Sequence, residues 1–567
     1  MKHGHLGSPP TESGEARRFS ARGALTGKRI LVTGVTGFLG KVFVAFLLDQ
    51  LPELGRITVL ARGRRGQSPA ERIRRIAERS PAWRPLRERY GRALGDMLAA
   101  RLEVVNGDAR EERLGIAPAH LDELCARLDA VVHVAGLTDF VPDPADAVAV
   151  NVRGALRAAD VAARLPSKLL LHVSTCFVAG KVDGLVDEAI ERGLSPNGTR
   201  FDPAAELAAM DSMIAAARAR EPDGVASRKA RIEIGQQRAN ALGWPNLYTY
   251  GKALAEHLLA ARTDVTALLV RPSIVECARR FPFSGWNEGV NTSAPLVWLT
   301  GTMHRRLPFS GDHVLDVVPV DSVARGMVLS LAHLFAGDVG HADVVQLASG
   351  DHNPFTLRRC VDLTALARRR QYQKSEDLFE RLFLAHLDSV VAERPAEADA
   401  LMPAARRAAK SARDLLVAFD PETHLPAAAR ERFGSTLTRW AQKAGKELGT
   451  ASRTLGQVEE MLKLYQPFVF DHDPRLVTAR VRGWTAALPE DEREALGFDS
   501  ETIDWRDYWM NVQIPGLDRW SLPALRGERV EGDPVWDLGR GIREVGVAES
   551  EAMAPRDREE SMEEGAE

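Results

Sequence analysis

The chain has 567 residues, 45% of them apolar and 27% charged, with a formal net charge of −3. That length supports two or more domains with well-buried cores, and the near-neutral balance argues against a nucleic-acid binder, which is usually basic across a whole domain. Four widely separated cysteines, Cys125, Cys176, Cys277 and Cys360, form no CxxC pair, so neither a disulfide framework nor a metal site is expected, and a reducing cytoplasm fits.

Residues 1–26 carry charge but no apolar h-region and read as a disordered leader, not a signal peptide. From Lys28 the pattern alternates: "KRILVTG" is a strand, "FLGKVFVAFLLDQL" a helix and "RITVLAR" a second strand. "LEVVNGD", "AVVHVAG", "KLLLHVST" and "VTALLVRPS" continue the series with helical segments between them. Apolar strands alternating with helices predict an α/β fold, a doubly wound parallel sheet of Rossmann type, with ligands at the carboxyl ends of the strands. About 60 residues after Gly180 exceed what a structureless loop would span and read as inserted helices. After "LASGDHNPFTL" the strand signals stop. The expected division is a Rossmann domain over 27–360, a mainly helical domain over 361–530 and an acidic, disordered tail over 531–567. The "ARRR" and "RRAAK" clusters in the helical part are either solvated helix faces or surfaces for phosphate or membrane. No stretch approaches the ~20 apolar residues that span a bilayer. No transmembrane segment is expected, and peripheral membrane contact is left open.

"ILVTGVTGFLGKVF" puts Gly34, Gly37 and Gly40 between the first strand and its helix, where backbone N–H groups can approach a pyrophosphate. The second strand ends in "LARGRRG", offering Arg62, Arg64 and Arg65 where an NAD enzyme usually offers a carboxylate. A guanidinium matches a phosphate in charge and fork geometry, so NADPH is the predicted cofactor and Arg62 its foremost contact. Asp108, ending the third strand, either receives the adenine amine or forms a turn.

"NLYTYGKALAEHLL" holds two of the six tyrosines. Tyr248 and Lys252 are i and i+4 on one helix face, and Tyr250 points elsewhere. Ser174 and Thr175 end another strand at the same sheet edge. A carbonyl that accepts hydride needs a proton, which a phenol supplies if a cation brings its pKa toward neutrality; a hydroxyl can hold the carbonyl oxygen meanwhile. Tyr248, Lys252 and Thr175 are therefore candidate catalytic residues, with Ser174 beside them. Asn151 is either a helix cap or the organiser of a proton relay to Lys252. Cys176 reads as a small buried apolar residue, not a nucleophile.

The ordered set "TGVTGFLG", "LAR", "STCFVAG", "NLYTYGK", "RPSIV", "FPFSGW", "VVPVD" and "IDWRDYW" resembles the alcohol-forming fatty acyl-CoA reductases, within the extended short-chain dehydrogenases/reductases. The chain departs from that pattern at "HVAG" and at Ser284. The resemblance implies catalytic Thr175, Tyr248 and Lys252. It implies cofactor contacts from Gly34, Thr36, Gly37, Phe38, Leu39, Gly40, Arg62, Asp108 and Asn151, with Tyr248 and Lys252 also at the nicotinamide. It implies that two NADPH reduce a long-chain acyl-CoA, or an acyl carrier protein thioester, through the aldehyde to a primary alcohol. Phe283 and Trp286 either shape the acyl pocket or are structural aromatics, and the arginines around Arg368 are candidate carrier contacts. Rival readings are an aldehyde-forming reductase, a nucleotide-sugar epimerase or dehydratase, and a non-catalytic NADPH-binding protein.

Overall fold

Eight parallel strands form the central sheet: Ile30–Thr33 (β1), Ile57–Ala61 (β2), Leu102–Asn106 (β3), Ala130–His133 (β4), Leu169–Val173 (β5), Thr266–Pro272 (β6), Val344–Leu347 (β7) and Glu544–Val545 (β8). The computed structural model describes residues 19–376 apart from 65, 221–224, 290–292, 301–305 and 308–309. It also describes scattered positions between 390 and 467, and residues 471–545 apart from 529, 531, 540 and 541. The spatial order is β7-β6-β5-β4-β1-β2-β3-β8, so the chain reverses direction between β1 and β4. A crevice opens at such a switch point, outside the carboxyl ends of the strands.

Each strand of the sheet interior is buried on both faces, which is why it reads as an unbroken apolar run. Ile30 and Val32 of β1 enter one core cluster with Val59, Val132, Leu171 and Val270. Leu31 enters the other with Val131, Leu170 and Leu269. The first face is covered by Phe38–Gln50 (α1) and a later helix, Val320–Ala336, buried around nearly its whole circumference. Pro69–Arg79 (α2), with a Ser68–Glu71 capping box, follows β2. Gly154–Ala163 (α3) covers the second face. The predicted insertion is a pair of helices, Pro203–Arg220 (α4) and Val225–Ala241 (α5), and Leu247–Ala260 (α6) follows them. Val320–Ala336 (α7) and Leu357–Gln373 (α8) follow later in the chain.

The structure corrects the expected boundaries in three places. The leader is folded from residue 19: Ala21–Leu25 is a helix, and the Ala21 N–H donates to Glu492 Oε2 at 2.7 Å. The tail expected to be free from residue 531 is also tied down as far as Val545. Asp533 pairs with Arg84 and Arg87, Leu538 and Ile542 are buried, and β8 pairs with β3. The described ends of the expected helical domain pack directly against the Rossmann half. Val481, Leu488, Leu496 and Trp520 belong to the same cluster as α1 and α7, and Trp505 and Trp509 stack around Phe355. Most of residues 377–470 lies outside the described residues, including all of the "RRAAK" cluster but Arg407 and Lys410.

Candidate active site

The turn from β1 into α1 opens the crevice. Gly34 has φ +78°, and a Cβ there would lie 2.6 Å from the Ala135 nitrogen, so a side chain would push the β1 turn off the β4 turn. α1 starts at Gly37 with no side-chain cap, leaving its first N–H groups available to an anion. A cavity of about 980 Å³ runs from this turn across the switch point to α6. Gly34, Thr36, Gly37, Phe38, Leu39, Gly40, Arg62, Asp108, Ser174, Thr175, Tyr248 and Lys252 all line it. Asn151 does not, and Arg65 lies outside the described residues.

One end of the cavity is strongly cationic. Arg62, Arg64, Arg72 and Arg110 line it, with the carboxylates of Asp108 and Asp146 among them. Asp108 does not stand free for a ligand amine: it accepts from Arg62 at 3.0 Å and from Arg110 at 2.7 Å. Burial alone would raise its carboxyl, but hydrogen bonds from the Arg110 side chain and backbone, with the charges of Arg110 and Arg62, take it down to about 2. Arg72 donates to the Arg62 carbonyl at 2.5 Å. Its guanidinium is held below its usual range by burial and then by the charges of Arg62 and Arg64, a crowd of like charges that a phosphate would relieve. Sequence reading passed over Arg72 and Arg110. Arg110 lies two residues past Asp108, where strand-end position was its signal; Arg72 lies within α2, where none was visible.

At the other end, Asn246 caps α6 by accepting from the Thr249 N–H at 2.9 Å, which sets the register that turns Tyr248 into the cavity. The Tyr248 phenol lies beside the Thr175 hydroxyl at this end of the cavity. Thr175 itself caps the turn after β5, accepting from the Phe177 N–H at 3.3 Å. The Ser174 hydroxyl is buried without a protein partner. Lys252 is buried, and its ammonium donates to the Val173 carbonyl at 2.8 Å. Burial lowers it to about 8, against the opposing charge of Glu256. The expected lowering of the Tyr248 phenol by Lys252 is not met in this arrangement, because the ammonium is turned onto the sheet edge. Burial instead pushes the phenol up to about 12, against the opposing effect of the Thr175 hydroxyl.

Asn151 is neither a helix start nor a cap. It sits inside a π-helical turn, Val148–Arg153, leading into α3. Its amide clamps the loop after β4, accepting from Leu137 N–H at 2.8 Å and donating to Leu137 O at 2.9 Å. That loop carries Gly136, where a Cβ would meet Lys252 Nζ at 3.0 Å. Single π-turns mark functional sites in many helices, and this one brings Asn151 behind the lysine.

Tyr250 points away from the cavity and donates to Glu206 at 2.5 Å, tying α6 to α4. Cys176 is buried, with its thiol on the Arg271 carbonyl at 2.9 Å and raised well above its usual range by burial. Trp286 is a core residue that backs Phe38 at 5.2 Å, and Phe283 stacks near Arg84 and Trp520; neither lines the cavity. Arg368 is not a free cation: it pairs with Asp518 through two bonds of 2.8 and 2.7 Å. Among the described residues, no cluster of His, Cys, Asp and Glu is placed to hold a metal, and no helix is long and apolar enough to cross a membrane.

Comparison with known proteins locates this geometry. The profile of the Male sterility protein family, an NAD-binding domain, matches residues 32–327. Fatty acyl-CoA reductase 2, chloroplastic, of Arabidopsis thaliana is 27% identical over 517 residues, covering 88% of this chain and 79% of that protein. The alcohol-forming fatty acyl-CoA reductase of Simmondsia chinensis is 25% identical over 509 residues, covering 87% of this chain and 97% of that protein. Among solved structures, the terminal R domain from the myxalamid PKS-NRPS pathway is similar with a TM-score of 0.48 at 19% identity, over 87% of this chain and 90% of that one.

Proposed function

We propose that this chain, which belongs to the Male sterility protein family of the extended short-chain dehydrogenases/reductases, is an NADPH-dependent, alcohol-forming reductase. Its proposed substrate is a long-chain acyl thioester of coenzyme A or a carrier protein. The observation that carries this reading is the placement of Thr175, Tyr248 and Lys252 at one end of a cavity whose other end is the glycine turn and four arginines. That donor set fits a phosphorylated dinucleotide. The turn from Gly34 to Gly40 would hold the pyrophosphate, and Arg62, Arg64, Arg72 and Arg110 would hold the extra phosphate.

When bound, the reduced nicotinamide supplies the hydride for each two-electron step. Thr175 and Tyr248 hold the carbonyl oxygen between two hydroxyl groups. With its phenol near 12, Tyr248 stays protonated at neutral pH and donates to the oxygen as negative charge develops there. Lys252 keeps a positive charge under that oxygen below about pH 8. In the first stage the carbonyl carbon gains hydrogen, the C–S bond breaks and the thiolate leaves. In the second stage the aldehyde carbon gains another hydrogen, and its oxygen takes the Tyr248 proton. No cysteine is required, in keeping with the inert setting of Cys176. The proposed place of action is the cytoplasm, in keeping with the four buried free thiols, with peripheral membrane contact at the substrate.

The test is a product assay with purified protein, NADPH and palmitoyl-CoA, resolved by gas chromatography. Hexadecanol at two NADPH per molecule, lost in Tyr248→Phe, is the expected result. Aldehyde as the sole product would replace the four-electron reading with a two-electron one, and no turnover of any acyl thioester would overturn both.

A further inference from the structure

The described residues of the segment 532–545 (all but 540 and 541) run along α2 and end as an edge strand, although their composition reads as tail. Near the end of α2, the Asp533 N–H donates to Arg79 O at 3.2 Å and the Trp536 N–H to Glu78 O at 3.0 Å. The Asp533 carboxylate pairs with Arg84 and Arg87 just beyond. Leu538 and Ile542 are buried in the main core. The Val104 N–H then donates to Arg543 O at 3.0 Å, and β8 lies parallel along β3. At the other end of α2, Glu544 Oε2 accepts from the Ala70 N–H at 3.2 Å. The strap thus holds α2 at both ends and completes the sheet beside it.

α2 is the helix that carries Arg72, whose guanidinium donates to the Arg62 carbonyl. The Arg62–Arg64 loop is also held by the Arg62–Asp108 pair and by two backbone bonds between Arg64 and Gln67, but its exposed guanidinium groups repel Arg72, which α2 keeps beside them. Such a cluster scatters unless its backbone is held, and a held cluster binds a phosphate with less ordering cost. We infer that the strap of residues 532–545 is a positioning element for phosphate recognition: it fixes α2 so that Arg72 and the Arg62 loop stay gathered for the 2′-phosphate of NADPH. This rests on the nucleotide assignment above and on no statement about the acyl substrate. No described residue of the strap lines the cavity.

The experiment measures nucleotide binding directly, by quenching of protein fluorescence, with NADPH and NADH in separate titrations. Three proteins are compared: the full chain, a chain ending at Gly527, and Val545→Pro, which removes one ladder N–H and leaves the Asp533 anchor in place. The full chain is expected to prefer NADPH. Both variants are expected to lose NADPH affinity, by about fivefold or more, with NADH affinity unchanged. Equal losses for both nucleotides, or no loss in Val545→Pro, would overturn the positioning role. A gain in NADPH affinity on truncation would overturn it as well, since it would show the removed acidic residues opposing the phosphate. A full chain that binds both nucleotides equally would overturn the NADPH assignment itself, and one that binds neither would overturn the cofactor reading; the inference falls with either.

Discussion

Replacing Glu256 with glutamine should weaken both the fold and the alkaline tolerance of the proposed reaction. Arg271 on β6 and Glu256 on α6 form a buried pair, with side chains 5% and 1% exposed. The guanidinium donates to the two carboxylate oxygens, at 3.0 Å through Nε and 2.5 Å through Nη2, and its remaining bond is to Ala189 O at 3.2 Å. Glutamine keeps one oxygen acceptor but leaves the guanidinium buried without a counter-charge, which costs roughly 3–5 kcal/mol. At ~2.1 cal/mol/K of unfolding entropy per residue, a chain of this length shifts by ~1 °C per kcal/mol, so the melting temperature should fall by roughly 3–5 °C. Glu256 also lies one turn beyond Lys252, and its charge supports the ammonium. Without it, Lys252 should lose its proton at a pH below its present value of about 8. Differential scanning fluorimetry reads the first effect, and the pH profile of NADPH consumption reads the second. An unchanged melting temperature would refute the buried-charge argument. A drop in stability with an unmoved pH limit would refute the coupling to Lys252 alone. Replacing both partners by leucine should restore much of the stability, since no charge is then left unpaired.

In the unaltered protein, reduction should decline as pH rises through about 8, where Lys252 loses its charge; the titratable groups facing it are the Glu256 carboxylate and the rings of His133 and His172. A rate that stays flat to pH 10 would remove Lys252 from the proposed proton chemistry. Those two histidines stack at 5.4 Å under the site, and burial first, then the Lys252 charge, lowers His133 to about 3 and His172 well below its usual value. Both folded values lie below the unfolded one, so their contribution to stability is complete above about pH 6.5. It is lost as pH falls, at ~1.4 kcal/mol per pH unit for each ring. Urea midpoints from pH 7 to 5 should show that slope, and His133→Gln should flatten it. Gly34→Ala should cost ~1–3 kcal/mol, because it strains a left-handed backbone and drives a methyl into Ala135. Nucleotide binding should weaken alongside, as read by fluorescence titration.

The elements that sequence reading placed well are those whose causes are local. Burial on both faces writes β1 to β6 as apolar runs, and the i, i+4 relation of Tyr248 and Lys252 follows from one helix. What was missed depends on distant partners. Arg72 matters through a carbonyl ten residues back, and Asp533 through arginines 449 and 446 residues away. The π-turn around Asn151 has no residue signature, so a cap was the simpler expectation. Trp286 and Phe283 lie in a motif-rich stretch, yet their packing against Phe38 and Trp520 makes them wall supports rather than lining. The acidic composition around residue 533 suggested disorder, and only the facing arginines Arg84 and Arg87 convert that charge into an anchor.

The late position of β8 also sets a schedule for biosynthesis. Val104 pairs with Glu544, about 440 residues later in the chain. At roughly 5–20 residues per second, the exposed side of β3 waits about 20–90 s after it leaves the ribosome before its neighbour exists. Over that interval the nascent nucleotide-binding half presents an open strand edge, the kind of surface that recruits chaperones or pairs with another chain. Ribosomes that stall or terminate early would release a product with its glycine turn and its Tyr248 helix but no closing strand. Such fragments should be aggregation-prone even where every residue of the proposed active site has already been made.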